Sequence, residues 1–181
     1  MELNLPIPKL NSLKKERNNK LKKFGFLAAF IVLLISSITS AQNAFEDALA
    51  KAKSEDKILI VDVYTDWCGW CKKMDKEAYS NQDVKDLIAG SFVFVKLNAE
   101  GTDKIKYNGK TYTETELAAY FEVTGYPTTV FIEPNGKQIE FNYDKSKMKN
   151  IPGYFKTDEF KKILQYFKDK KYKDTDLSTI V

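Results

Sequence analysis

Two short runs of nearly unbroken apolar residues, 58–64 (ILIVDVY) and 91–97 (SFVFVKL), stand out from the polar sequence on either side. Runs of that length, rich in β-branched and aromatic residues, read as strands covered on both faces. Around them the period changes. Phe45, Ala48, Leu49 and Ala52 recur at i, i+3, i+4 and i+7, one face of a helix, with Asn43 as its cap and Glu46 three residues on. Residues 71–78 and 81–89 carry further helical stripes, Met74 with Ala78 and Val84 with Leu87 and Ile88. Strand, helix, strand in that order predicts a parallel pair joined by a crossover.

The second half of the chain reads in shorter pieces. Residues 107–112 place Asn108-Gly109 between β-formers, which predicts a small hairpin. Residues 113–122 predict a helix with Leu117, Ala118 and Phe121 on one face, ended by Gly125-Tyr126-Pro127. Residues 128–132 predict a third strand, 134–137 a turn, and 138–143 a fourth strand at the sheet edge; 144–150 reads as a polar loop. A last amphipathic helix, capped by Thr157 and running to about Lys170, carries Phe160, Ile163, Leu164 and Phe167. Tyr154, Phe155, Phe160, Tyr166 and Phe167 are expected in the core. The fold class is α/β: a central mixed sheet of four strands, or five, flanked by helices.

The N-terminus is a separate matter. A basic stretch (Lys14 to Lys23) leads into the uncharged apolar run 24–38, and Thr39-Ser40-Ala41 closes it with small residues. Basic, apolar, small is the layout of a secretory signal peptide, cleaved after Ala41. The alternative is an uncleaved membrane anchor over residues 24–41, which reach the lower limit for a span. No cysteine stands at the cleavage site, so lipid attachment there is excluded. The expected division is 1–41 signal or anchor, 42–173 folded domain and 174–181 polar tail. The folded part is expected to be exported, periplasmic or extracellular.

Setting that segment aside changes the charge picture. Residues 1–41 hold seven of the 29 Lys and Arg and two of the 25 Asp and Glu, which leaves 22 basic against 23 acidic residues. The net positive charge belongs to the leader and gives no reason to invoke nucleic acid.

Both cysteines of the chain stand in Trp67-Cys68-Gly69-Trp70-Cys71-Lys72, where the first strand gives way to a helix. Two intervening residues on a first helical turn hold two sulfurs within bonding reach. At that position Cys68 would feel the free N–H groups and dipole of the helix start, which favour a thiolate. Cys68 is therefore the expected nucleophile, and Cys71, further into the helix and more buried, the resolving thiol of a mixed disulfide. A static structural disulfide stays open as an alternative. With two cysteines and no histidine, the chain cannot supply the four ligands of a structural zinc site. Ser-His and Cys-His hydrolase arrangements are excluded for the same lack of histidine.

Residues 61–72 (VDVYTDWCGWCK) resemble the active-site strand and motif of the thioredoxin superfamily. Residues 125–131 (GYPTTVF) resemble that family's cis-proline loop, and 95–98 (VKLN) its third-strand segment. The likeness covers residues 44–170 and looks nearest to exported thioredoxin-like thiol–disulfide interchange proteins. It implies a thioredoxin fold and a thiol–disulfide oxidoreductase that acts on disulfides of exported proteins. The reductase direction is favoured; an oxidase, an isomerase or a non-catalytic peptide-binding module of the same fold are the alternatives. It also implies roles. Asp62 matches the buried acid that accepts the Cys71 proton, and Lys96 the lysine that moderates its pKa. Pro127 would be cis, and with Trp67, Gly69, Trp70 and Tyr126 would receive an extended substrate chain. No cofactor and no metal are expected. The expected partners are disulfide-containing exported proteins and a membrane or soluble dithiol electron donor, and the protein is expected to be a monomer.

Two departures from the family pattern stand out. Trp70 occupies the place where thioredoxin has proline between its cysteines, and that residue tunes the potential. The stretch 98–127 is longer than in the minimal fold, so the 107–112 hairpin is either part of a partner surface or an edge decoration.

Overall fold

The computed structural model describes residues 44–181. The expected leader and the Asn43 cap lie outside the described residues. Among the described residues no helix is long and apolar enough to cross a membrane.

Alternation along the first apolar run organises the architecture. In strand β1 (Ile58–Tyr64), Leu59, Val61 and Val63 point to one face, and Ile58, Ile60 and Asp62 to the other. β1 pairs in parallel with β2 (Phe92–Asn98) on one side, as the strand–helix–strand order requires. On its other side it pairs antiparallel with β5 (Thr128–Ile132). The four-stranded mixed sheet runs β2-β1-β5-β8, where β8 is Asn150–Pro152.

Each face carries its own core. On the Leu59 face lie helix α1 (Ala44–Ser54), helix α4 (Glu114–Tyr120) and the hairpin β3 (Lys104–Tyr107) with β4 (Lys110–Thr113). The hairpin turns at Asn108-Gly109, both at positive φ. One face of it is part of the core, while Lys104, Lys106, Lys110 and Thr111 stay exposed on the other. Ile105 and Tyr107 are buried among Phe45, Leu117 and Phe121, and the Tyr107 hydroxyl donates to the Gly136 carbonyl at 2.8 Å. On the Ile60 face lie helix α2 (Gly69–Met74), helix α3 (Gln82–Ser91) and helix α5 (Thr157–Lys168). α5 drives in Phe160, Ile163, Leu164 and Phe167, and Phe167 stacks on Phe131 with ring centroids 3.6 Å apart. Each such buried side chain contributes about 1.5–3 kcal/mol. Tyr166 joins this core as expected, whereas Tyr154 and Phe155 are only half-buried. The position expected to cap α5 shifts by one residue. Lys156 precedes the helix with its N–H donated to Glu159, while the Thr157 hydroxyl donates to the Glu77 carbonyl.

The segment after β5 departs from expectation. Gln138 makes one bridge to Ile132, and the chain then leaves the sheet. Strands β6 (Phe141–Tyr143) and β7 (Ser146–Met148) form a separate hairpin, and the sheet's edge strand is β8, which starts twelve residues after the start of the predicted one. The turn between β6 and β7 places Asp144 and Lys145 at positive φ, unusual for residues with a side chain. Asp176 holds it there: its carboxylate accepts the N–H groups of Asp144 (3.0 Å) and Lys145 (2.9 Å). The stretch expected as a polar tail is thus folded onto the domain, with Leu177 buried. Those hydrogen bonds, with that from Ser178, pull the Asp176 carboxyl down to about 2. Replacing Asp176 with alanine should speed amide hydrogen exchange at Asp144 and Lys145 by about tenfold. In the unaltered chain the protection should fade as the pH falls toward 2, where the carboxylate protonates.

Candidate active site

Helix α2 starts where it does because β1 ends in a tight turn. The Thr65 carbonyl accepts the Cys68 N–H at 3.1 Å, and Cys68, in extended backbone, becomes the cap of α2. Its Sγ accepts the Cys71 N–H at 3.0 Å. The two cysteines form a disulfide, with S–S at 2.07 Å and Cα atoms 5.3 Å apart. Both are equally buried, at 4% exposure, so the expected difference in depth does not appear in the disulfide form. The bond draws the capping residue in against the helix start.

An exposed tryptophan immediately precedes each cysteine of this disulfide in the sequence. Trp67 (66% exposed) and Trp70 (57%) are the largest apolar side chains left to solvent among the described residues. Trp67 meets the Tyr126 ring edge-on at 6.0 Å and donates its indole N–H to Glu100 at 2.9 Å. Trp70 leans on Tyr154 at 5.5 Å, and the Lys73 ammonium lies about equally over both rings, at 5.0 and 4.9 Å. Between them the space that a side chain at Gly69 would enter is open. Tyr126–Pro127 is a cis peptide leading into β5, and the Pro127 carbonyl accepts the Gly153 N–H.

On the face of the sheet that α2, α3 and α5 share, one row is polar. Cross-strand register sets Lys96, Asp62 and Thr129 side by side on the face that is otherwise Ile60, Phe94 and Phe131. Asp62 is 1% exposed and is the only buried charged side chain among the described residues. Lys96 Nζ stands 3.4 Å from Asp62 Oδ2 and 2.6 Å from Asp75 Oδ1, with Tyr64 beneath it. Burial pushes the Asp62 carboxyl up to about 6; Lys96 opposes that shift and Asp75 adds to it. Partial burial works against the charge on Lys96, but Asp75 and Asp62 outweigh it and hold its pKa above the ordinary range. Lys96 is therefore a paired lysine rather than a solvated one.

Sequence reasoning missed Asp75, Glu100 and Tyr154. Asp75 had a readable signal, since it stands four residues after Cys71, one helical turn along. It also opens a π-helical turn, Asp75–Tyr79, that carries α2 on toward α3 and has no signature in the sequence. Glu100 and Tyr154 come from loops remote in the chain and had none. Among the described residues no group of three or more His, Cys, Asp or Glu is placed to hold a metal ion.

Comparison with known proteins agrees with this geometry. Over 95 residues the chain is 32% identical to the thiol:disulfide interchange protein DsbD of Pseudoalteromonas atlantica, a match that spans 52% of this chain and 14% of that protein. Over 102 residues it is 31% identical to the disulfide bond reductase DsbH of Chlamydia pneumoniae, covering 54% of this chain and 58% of that one. The chain thus matches only part of the length of these relatives. A thioredoxin-fold protein from Helicobacter pylori superposes with a TM-score of 0.55 at 23% identity, over 69% of this chain and 80% of that one, and shares its fold. A model of the thioredoxin-like domain matches residues 45–168, from the first residues of α1 to the last of α5. The chain belongs to the thioredoxin-like family.

Proposed function

We propose that the chain is a thiol–disulfide oxidoreductase that reduces disulfides of exported proteins. The observation that carries this reading is the Cys68–Cys71 pair at the start of a helix whose next residue, Asp75, is linked through Lys96 to the sheet's one buried carboxylate, Asp62. The names of the DsbD and DsbH relatives support the chemistry, and the layout of residues 1–41 supports export.

In this reading the structure is the oxidised form. After reduction, the Cys68 thiolate attacks one sulfur of a substrate disulfide. A Cys68–substrate bond forms, and the other substrate sulfur leaves as a thiolate. The Cys71 thiol gives its proton to Asp62 and attacks Cys68 Sγ. The mixed disulfide breaks, Cys68–Cys71 closes, and the second substrate sulfur leaves. The substrate gains two electrons, which a dithiol donor protein must restore to the cysteines. Trp67, Gly69, Trp70, Tyr126 and Pro127 form the surface that receives the substrate chain, and Lys96 keeps Asp62 from titrating too high to act as a base at neutral pH.

The test is the reduction potential of the pair, from equilibration in thiol buffers followed by alkylation of free thiols. A value near about −270 mV is expected for a reductant. A value between about −120 and −180 mV would reverse the direction of electron flow and make the protein an oxidant or isomerase. A bond that stays closed down to potentials well below about −300 mV would be a structural disulfide, and the activity would be wrong.

A further inference from the structure

Asp62 has two carboxylate oxygens in different situations. Oδ2 faces Lys96, whereas Oδ1 is buried and has no hydrogen-bond partner. Leaving such an oxygen unpaired is expensive, above all when the carboxylate ionises. Three other buried side-chain oxygens among the described residues share this condition: Thr65 Oγ1, Tyr79 OH and Thr129 Oγ1. Thr65 lies past the end of β1. The other two converge on Asp62. Thr129 is its direct cross-strand partner in β5. Tyr79 closes the π-helical turn whose first residue, Asp75, already reaches into this row through Lys96. The Tyr79 ring is fixed from two sides, by Phe94 at 5.0 Å and by Phe160 at 5.1 Å. Its phenol is held well above the ordinary range, first by burial and next by the charge of Asp62. A tyrosine that cannot ionise is a hydrogen-bond donor at every working pH.

Resting on the proposed proton transfer, we infer that Tyr79 and Thr129 are positioning residues for Asp62: Thr129 donates to the Tyr79 oxygen, and Tyr79 donates to Asp62 Oδ1 when the carboxylate carries its charge. This pair does for Oδ1 what Lys96 does for Oδ2. It favours the ionised base, the form that can take the proton from Cys71, and no atom of it touches the sulfurs or the substrate. Asp75 and Tyr79 stand four residues apart, close to one turn of this helical segment, so both face the polar row.

The experiment uses the full reduced chain and a small aromatic disulfide that releases a coloured thiolate. The first equivalent released reports attack by Cys68, and the second reports resolution by Cys71. Both rates are followed against pH in the unaltered chain, Tyr79→Phe, Thr129→Val and Asp62→Asn. Tyr79→Phe keeps the ring contacts and Thr129→Val keeps the shape. The titratable groups facing Asp62 are Lys96 from β2, Asp75 and Tyr79 from the π-helical turn and, in the proposed transfer, the reduced Cys71 thiol from α2; β5 contributes Thr129, and the Phe160 ring of α5 packs on Tyr79. Removing the donor raises the Asp62 pKa. Tyr79→Phe should therefore slow the second release by about tenfold at pH 7 and leave the first unchanged. The deficit should close as the pH rises toward 9, where Cys71 ionises unaided. Thr129→Val should do the same to a smaller degree. If Tyr79→Phe has the unaltered pH profile, or slows release equally at every pH, the ring is only packing and the inference is wrong. Should Tyr79→Phe fail to fold, an unaltered pH profile in Thr129→Val overturns it instead. An unaltered second release in Asp62→Asn would instead overturn the proton-transfer reading itself.

Discussion

Replacing Cys71 with serine is expected to turn the protein into a trap. Cys68, still at the helix start, would open the substrate disulfide and remain bonded to it, because the group that should release it is gone. An intramolecular thiol acts as if present at a concentration no dissolved thiol reaches. Turnover should fall by about a thousandfold or more, and covalent adducts should accumulate. They would appear on non-reducing gels and as added mass, and would vanish with reductant. Cys68→Ser should give the opposite signature: no turnover and no adduct, with Cys71 left as a buried thiol. The pair of results separates an enzyme from a peptide-binding module of the same fold. A module would bind the same peptides in both variants and trap none, so equal binding without adducts would refute the catalytic role of the disulfide.

Asp62→Asn is expected to stabilise the fold while impairing the chemistry. The carboxyl titrates near 3.8 when unburied and is pushed up to about 6 in the folded chain. A raised folded-state pKa means that the fold prefers the protonated acid. The stability associated with that preference is intact below pH 3.8 and is lost as the pH rises through 6, so at neutral pH the ionised carboxylate is a liability of about 2–3 kcal/mol. Asparagine carries no charge to desolvate. Lys96 would not be stranded, because Asp75 holds it at 2.6 and 2.7 Å. The variant should be more stable than the unaltered chain by about 1–3 kcal/mol at pH 7, with the difference growing between pH 4 and 6 and level above. Urea unfolding across that range measures it. A variant less stable than the original at pH 7 would mean that the charge is well compensated and the row is built for stability. A stabilising loss of a buried charge, paired with slower resolution of the mixed disulfide, is the pattern of a residue kept for function.

The sheet and the redox motif were legible because their signals are local. The runs 58–64 and 128–132 have lengths and compositions that only buried strands fit, and Asn108-Gly109 names its own turn. Asp62 was conspicuous as a charge in an apolar run. What could not be read has its cause elsewhere in the chain. Residues 138–143 alternate like an edge strand, yet β8 takes the edge. Asn150 anchors it, donating to the carbonyls of Phe121 and Glu122 some thirty positions away. The β6–β7 turn lacks glycine and asparagine and depends on Asp176 for its shape. Tyr79 reads as one more apolar helix position. What sets it apart is the Asp62 row, which strands remote from it in the chain assemble.

The two tryptophans of this chain are its only ones, and each adjoins a cysteine of the disulfide. The intrinsic emission of the protein is therefore not an average over a scattered set of indoles. Its tryptophan component arises wholly beside the disulfide, from rings that are open to water and lean on tyrosines. In the proposed cycle, closing the disulfide, seating a peptide and releasing it would each alter what surrounds those rings. The chain thus carries an optical reporter of its own turnover, and its cycle can be followed in time without a label.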